Sequence, residues 1–163
     1  MKKDWLQIIL KELHQDAYHW ARQCSKFDDE LAKDVLQAVY LKILEGKAAY
    51  KERSQVKTWL FSVIRFTALE SLKAKGRMVA LDRYQEEVEV EATQGYECPE
   101  ELIQLLPDRQ KEVLLLVFYH HLTLEKTAEV LEISIGSVRT HYERGKQNLK
   151  KIIVKRTANE NSR

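Results

Sequence analysis

TLEKTAEVLEISIGSVRTHYERGKQNLK, from Thr123 to Lys150, reads as two helices joined by a tight turn, the second of them basic. Two short helices that cross steeply need a small residue where they meet, and Ala128 supplies one midway along the first. Leu131 and Ile133 bracket the turn, and Ser134 is placed to cap the second helix. At about 100° per residue, Val138, Tyr142, Gly145 and Leu149 share one side of that helix and are expected to pack inward. Ser137, Thr140, His141, Arg144 and Gln147 then face outward, flanked by Arg139, Lys146, Lys150 and Lys151. Such hydrogen-bonding and cationic groups suit base edges and phosphates, and a helix of this kind fits the major groove. The pattern predicts a DNA-binding helix-turn-helix. An amphipathic hairpin with a solvated charged face is the plainer alternative; the small residue, the apolar bracket and the basic face coincide here and favour DNA. Glu132 stands in the turn, where a positive φ favours glycine, at a cost of about 1 kcal/mol.

The 163 residues allow one medium domain or two small ones, and 44% hydrophobic with 32% charged residues places the chain among soluble globular proteins. Met1-Lys2-Lys3 resembles the start of a signal peptide, but Asp4, Gln7, Lys11 and Glu12 interrupt the apolar run, so a cytoplasmic protein without membrane insertion is expected. Cys24 and Cys98 match no zinc spacing and no disulfide framework. His14, His19 and Cys24 step by five residues and share no helical face, so no metal site and no cofactor are expected. The chain has only five glycines and none of the phosphate-cradling loops, GxSxG or HExxH patterns that carry chemistry, which argues against an enzyme.

A net charge of +2 is too small to imply nucleic acid, so the distribution of charge matters more than its sum. Between Arg139 and Arg156 the cations Arg139, Arg144, Lys146, Lys150, Lys151, Lys155 and Arg156 stand against Glu143 alone. Arg65, Lys73, Lys75 and Arg77 form a second basic cluster. Between the two lies an acidic stretch carrying Asp82, Glu86, Glu87, Glu89, Glu91, Glu97, Glu100 and Glu101.

Helical spacing dominates both halves, which predicts an all-α protein: two small helical domains joined by an acidic linker, the second with the helix-turn-helix. The expected domains are residues 1–77, a linker 78–99, residues 100–156 and a disordered tail 157–163. Helices are expected over Trp5 to Cys24, Asp29 to Glu45 and Val56 to Ala74, with Gly76 ending the third. A short helix over Glu100 to Leu106 is broken by Pro107 and followed by an apolar helix from Arg109 to His120. On the helix from Asp29, the residues Ala32, Val35, Leu36, Val39 and Ile43 form the inner face, while Asp34, Gln37, Ala38, Leu41 and Glu45 fall opposite. A leucine among polar groups there suggests a docking surface. On the helix from Val56, the residues Ser62, Arg65 and Lys73, with Lys57, Lys75 and Arg77, can follow phosphates. Trp59 and Phe66 can stack on unpaired bases, although core packing is the expected role for both.

LPDRQKEVLLLVFYHHLTLEKTAEVLEISIGSVRTHYERGKQNLK resembles region 4 of the extracytoplasmic-function (ECF) group of sigma factors of bacterial RNA polymerase. AKDVLQAVYLKIL and VKTWLFSVIRFTALESLK resemble the two region 2 helices of that group. The resemblance implies a protein that binds core polymerase and directs it to promoters. Asp34, Gln37 and Leu41 would then meet the β′ clamp helices, and the second domain the β flap. Lys57, Ser62, Arg65, Lys73, Lys75 and Arg77 would meet the −10 element, and the loop Lys47 to Ser54 would capture a flipped base of the non-template strand. Ser137, Arg139, Thr140, His141, Arg144 and Lys146 would read the −35 element. An anti-sigma factor is a further candidate partner. The chain departs from the family pattern at Ala38, Thr67, Glu132 and His141, which bears on core affinity and promoter sequence. Two other readings remain open at this point: a LuxR-type operator-binding regulator, and a sigma-like accessory protein that docks on polymerase without binding promoters.

Overall fold

The structure, a computed structural model, describes residues 2–76 and 99–161. It contains α1 (Lys2–Glu12), α2 (His14–Cys24), α3 (Asp29–Leu44), α4 (Val56–Ala74), α5 (Pro99–Ile103), α6 (Asp108–Leu114), a π-helical turn (Leu115–Tyr119), α7 (Leu124–Leu131) and α8 (Ile135–Asn161). No strand occurs among the described residues, so the chain is all-α as its periodicity predicts. It divides into two compact units, with α1–α4 in the first and α5, α6 and α8 in the second. The acidic linker, apart from Pro99, lies outside the described residues, as do Arg77 and Cys98.

In the first unit α2, α3 and α4 pack around a core of Trp20, Leu31, Val35, Leu60, Phe61, Ile64 and Leu72, all at most 2% exposed. Small residues, Ala17 and Ala21 on α2 and Ala32 on α3, are fully buried and let the helices approach closely. Trp20 joins α2 to α4 twice. Its ring lies nearly parallel to that of Phe61 at 5.7 Å, and its indole N–H donates to the Phe61 carbonyl at 3.0 Å. The Asp28 carboxylate accepts from the Leu31 N–H at 3.2 Å and caps α3, with Asp29 and Glu30 complementing the helix dipole in the first turn. The turn before it holds Lys26 and Phe27 at φ 57° and 61°. That left-handed pair is held by a 2.8 Å bond from the Phe27 N–H to the Arg22 carbonyl and by the Arg22 guanidinium over the Phe27 ring. At the end of α4, Gly76 takes φ +71° and donates to the Lys73 carbonyl, the stop expected of it.

In the second unit Val113, Leu114, Leu115 and Leu116 are buried, and α6 packs on α8. The contact depends on Gly145, whose position would put a Cβ 3.2 Å from Leu114 Cγ and Cδ1 and 3.4 Å from Gln110 Cβ. Three residues on, the Asn148 amide donates to Gln110 Oε1 at 2.7 Å and fixes the register. Thr123 caps α7 by accepting from the Lys126 N–H, and Thr127 donates back to the Thr123 carbonyl. Glu132 then takes φ 55°, ψ 41°, the left-handed geometry for which glycine is suited, and the Ile133 N–H closes on the Ala128 carbonyl. Ser134 Oγ accepts from the Ser137 N–H at 3.1 Å and starts α8, the cap the sequence indicates.

Three expectations are corrected. The helix expected over Trp5 to Cys24 is two, α1 and α2, separated at Leu13; hydrogen bonds from Leu13 N–H to Ile9 and from Ala17 N–H to Leu13 run across the break, so nothing in the side-chain pattern marks it. The apolar helix expected to end at His120 widens into a π-turn at Leu115–Tyr119, and the His120 N–H bonds to the Leu115 carbonyl. Residues 157–161, expected in a disordered tail, continue α8, where the Thr157 hydroxyl donates to the Ile153 carbonyl.

Two substitutions test this account by denaturant unfolding. Glu132→Gly removes left-handed strain and should stabilise the fold by about 1 kcal/mol; no gain would mean the turn is unstrained. Gly145→Leu must force α6 and α8 apart and should cost about 1–3 kcal/mol by overpacking.

Candidate functional site

The outward face of α8 is partly free and partly committed. Arg139 and Arg144 are exposed cations, and Gln147 is exposed beside them. The Thr140 hydroxyl donates to the Gly136 carbonyl at 3.0 Å, which leaves its oxygen as an acceptor. The Ser137 and Ser134 hydroxyls lie 2.9 Å apart at the helix cap, so Ser137 both starts the helix and borders the face. Lys146 is turned along the helix: its ammonium lies 3.2 Å from Glu143 Oε1 and 4.3 Å from the centre of the Tyr142 ring. Tyr142 stacks in turn on Phe118, 5.9 Å away, which is exposed on the π-turn. Of the six residues assigned to this surface by sequence, Arg139 and Arg144 are therefore the two readiest to grip phosphate or a guanine edge.

His141 is half-buried. Loss of hydration pushes its pKa below the usual 6.5, and the neighbouring Arg109 and Arg144 push it further, against a smaller opposing effect of Glu112. At neutral pH it is an uncharged imidazole, able to donate one hydrogen bond and accept one.

On the first unit, α3 presents the face that the sequence assigns to docking. Asp34 and Gln37 are exposed, Leu41 is 50% exposed and Leu44 68%. Gln37 and Leu41 line an open groove of ≈440 Å³ together with Leu36, Leu44, Tyr18 and Tyr40. Its floor is braced by a 2.8 Å hydrogen bond between the Tyr40 hydroxyl and His14 Nδ1, with the two rings stacked, and burial raises the Tyr40 pKa. His14 and Tyr18 escape a reading of α3 alone, because they line the groove from α2. The signal present in sequence is Leu44, three residues past Leu41 on the same helical face.

Along α4, Lys73 and Lys75 are exposed while Ser62 and Arg65 are half-buried. Lys57 is drawn inward, 3.8 Å from Asp16 Oδ2 and 5.6 Å from the centre of the Phe61 ring. Trp59 is half-buried against Tyr50 and lies outside the fully buried core. Phe66 is 60% exposed, so the expectation that it packs in the core is wrong. Lys42 explains how it is tolerated. The Lys42 ammonium sits 5.3 Å from the Phe66 ring centre and bonds to Thr67 Oγ1 and Glu70 Oε2 at 3.0 and 3.1 Å. An exposed ring flanked by a cation is a surface on which a base can stack.

Among the described residues no group of three His, Cys, Asp or Glu side chains is placed to hold a metal ion, and no helix is long and apolar enough to cross a membrane. The sign of the His141 shift fixes a pH test. The unfolded chain protonates first, so the native state should lose stability as pH falls through about 6.5, and His141→Gln should lose less over that window. In an NMR titration the His141 midpoint should lie below 6.5; a midpoint at or above it would contradict the burial described.

Comparison with known proteins agrees with the geometry in both units. Residues 9–78 match the model of Sigma-70 region 2, and residues 97–149 that of Sigma-70, region 4. The chain is 25% identical to the RNA polymerase sigma factor YlaC of Bacillus subtilis, over 94% of this chain and 90% of that one. It is 27% identical to the ECF RNA polymerase sigma factor SigX of the same organism, over 91% and 84%. Its fold is similar to that of the sigma factor RpoE in complex with the anti-sigma factor NepR from Bartonella quintana, with a TM-score of 0.72 at 20% identity, covering 93% and 97% of the two chains. The first half matches Sigma-70 region 2, a sigma-factor module, where the LuxR-type reading expected a half that senses a signal or partner. With the two regions in this order across most of its length, the chain belongs to the sigma-70 family, as an RNA polymerase sigma factor of the extracytoplasmic-function group.

Proposed function

We propose a division of labour within this sigma factor, which binds core polymerase and directs it to promoters. Residues 1–77 hold core polymerase and the −10 region, residues 78–99 connect, and residues 100–156 read the −35 element. The observation that carries this reading is the open groove on α3, where Gln37, Leu41 and Leu44 remain uncovered. Exposed leucines beside polar anchors are what an apolar docking contact needs, with buried area supplying affinity and the polar groups fixing orientation. The β′ clamp helices are the partner for this face, with Asp34 and Gln37 as anchors. The β flap contacts the second unit.

On α8 the free cations Arg139 and Arg144 enter the −35 major groove, and the neutral His141 adds a hydrogen bond to a base edge. Ser137 and Thr140 border the same surface. Lys146 acts on phosphate only after leaving Glu143, which makes it the weakest of the set. On α4, Lys73 and Lys75 follow the phosphates of the −10 region with Arg65 and Ser62, while Lys57 contributes through its contact with Asp16. Binding energy is converted into promoter choice and strand opening, without catalysis by the sigma chain itself. The work takes place in the cytoplasm, where polymerase and promoters meet. The likeness to a sigma factor solved with an anti-sigma factor supports an antagonist of that kind as a further partner.

Two variants separate the surfaces. Leu41→Asp should weaken binding to core polymerase about tenfold or more, the scale of an interface anchor, while leaving the fold intact. Arg144→Ala should keep core affinity and change −35 preference by about 1–3 kcal/mol at one base pair, measured by transcription from a randomised promoter library. An unchanged preference would remove Arg144 from the base-reading set; unchanged core affinity of Leu41→Asp would remove the groove from the polymerase interface.

A further inference from the structure

Three rings from three separate segments of the first unit form a column. Trp5 of α1 stacks on Tyr50 of the loop between α3 and α4, with centroids 6.3 Å apart and planes at 28°. Tyr50 meets Trp59 of α4 at 5.3 Å and 49°. The Tyr50 hydroxyl also donates to the Ser54 carbonyl, tying the two ends of the loop's outer turn. Between those ends lie Lys51, Glu52 and Arg53, all exposed, with Glu52 held at φ 58°. A positive φ at a non-glycine residue persists only where the surroundings determine it, and the Tyr50–Ser54 hydrogen bond closes the turn that holds Glu52.

Trp5 is not a core residue. It is 48% exposed, and from Asp4 to Glu12 no side chain of α1 is fully buried. Its ring stacks on the face of Tyr50, and aromatic pairs of this geometry carry a favourable interaction beyond their buried area. Trp5 precedes the span that matches region 2, which begins at residue 9.

We propose that Trp5 is a positioning residue for promoter opening: by stacking on Tyr50 it sets the conformation of Lys51–Arg53, and with it the choice of unpaired base that the loop accepts. The inference rests on the reading of this loop as the site that takes a base from the opened non-template strand. Without Trp5, Tyr50 keeps Trp59 but loses its stacked neighbour from α1. The loop then samples more conformations, and discrimination between bases falls before affinity for polymerase does.

The test uses holoenzyme reconstituted from core polymerase and the full chain. Duplex promoters carrying each of the four bases at each −10 position are opened, with 2-aminopurine fluorescence as the readout. Trp5→Ala should leave core affinity unchanged and reduce the ratio of best to worst base about tenfold, the strength of a single stacking contact. Trp5→Phe should restore most of that ratio. A purely structural role would lower the active fraction equally for all four bases and leave the ratio unmoved, which would overturn the proposal. Lys51→Ala and Arg53→Ala locate any failure. If they reduce the ratio and Trp5→Ala does not, the role of Trp5 alone is refuted; if none of the three moves it, the base-capture reading falls as well.

Discussion

Trp20 fixes the first unit. Its ring is almost fully buried against Phe61, and its one polar group is satisfied by a main-chain carbonyl of α4 that has a second lone pair to offer. A buried indole without a partner would cost free energy, so α2 and α4 can meet in few other ways. With that pair locked, α3 needs to bury only one side, through Ala32, Val35, Leu36 and Val39. The opposite side remains available, and that is why Leu41 and Leu44 can stay exposed without loss of the fold. The loop before α4 inherits its position from the same lock, because Trp59 lies two residues before Phe61 on the same helix and supports Tyr50.

Charge in this chain is arranged by partner rather than by sign alone. Lys57, Lys42 and Lys146 each lie near both a carboxylate and an aromatic face, which lowers their readiness to meet phosphate. Arg139, Arg144, Lys73 and Lys75 are the more exposed cations. Nucleic-acid affinity that depends on counterion release draws first on such free cations. A neutral His141 among arginines adds direction without adding charge, which suits a base contact better than a phosphate contact.

Much of this was legible in the sequence, for reasons that differ by residue. Val56 to Ala74 was readable to both ends, because its apolar spacing is continuous and Gly76 marks the stop. Ser134 and Glu132 were readable because a cap and a left-handed turn make local demands on residue type. The division at Leu13 was not: backbone bonds from Leu13 to Ile9 and from Ala17 to Leu13 run across it, and no glycine or proline stands there. The π-turn was hidden in an apolar run that suits either helix. The length of α8 was hidden because nothing after Arg156 forbids helix. Phe66 was misread because periodicity reports which residues share a face, and the neighbour that makes an exposed ring tolerable, Lys42, comes from another helix. The docking groove was half visible for the same reason, its α2 wall being remote in sequence from Leu41.

The central claim is that this chain converts core polymerase into a promoter-specific enzyme. It is tested most directly by transcribing fragmented genomic DNA of the host with core polymerase, with and without the chain, and mapping 5′ ends. The account predicts discrete new start sites that share sequences at −35 and −10. Active core and soluble chain that together yield no new start sites would contradict it.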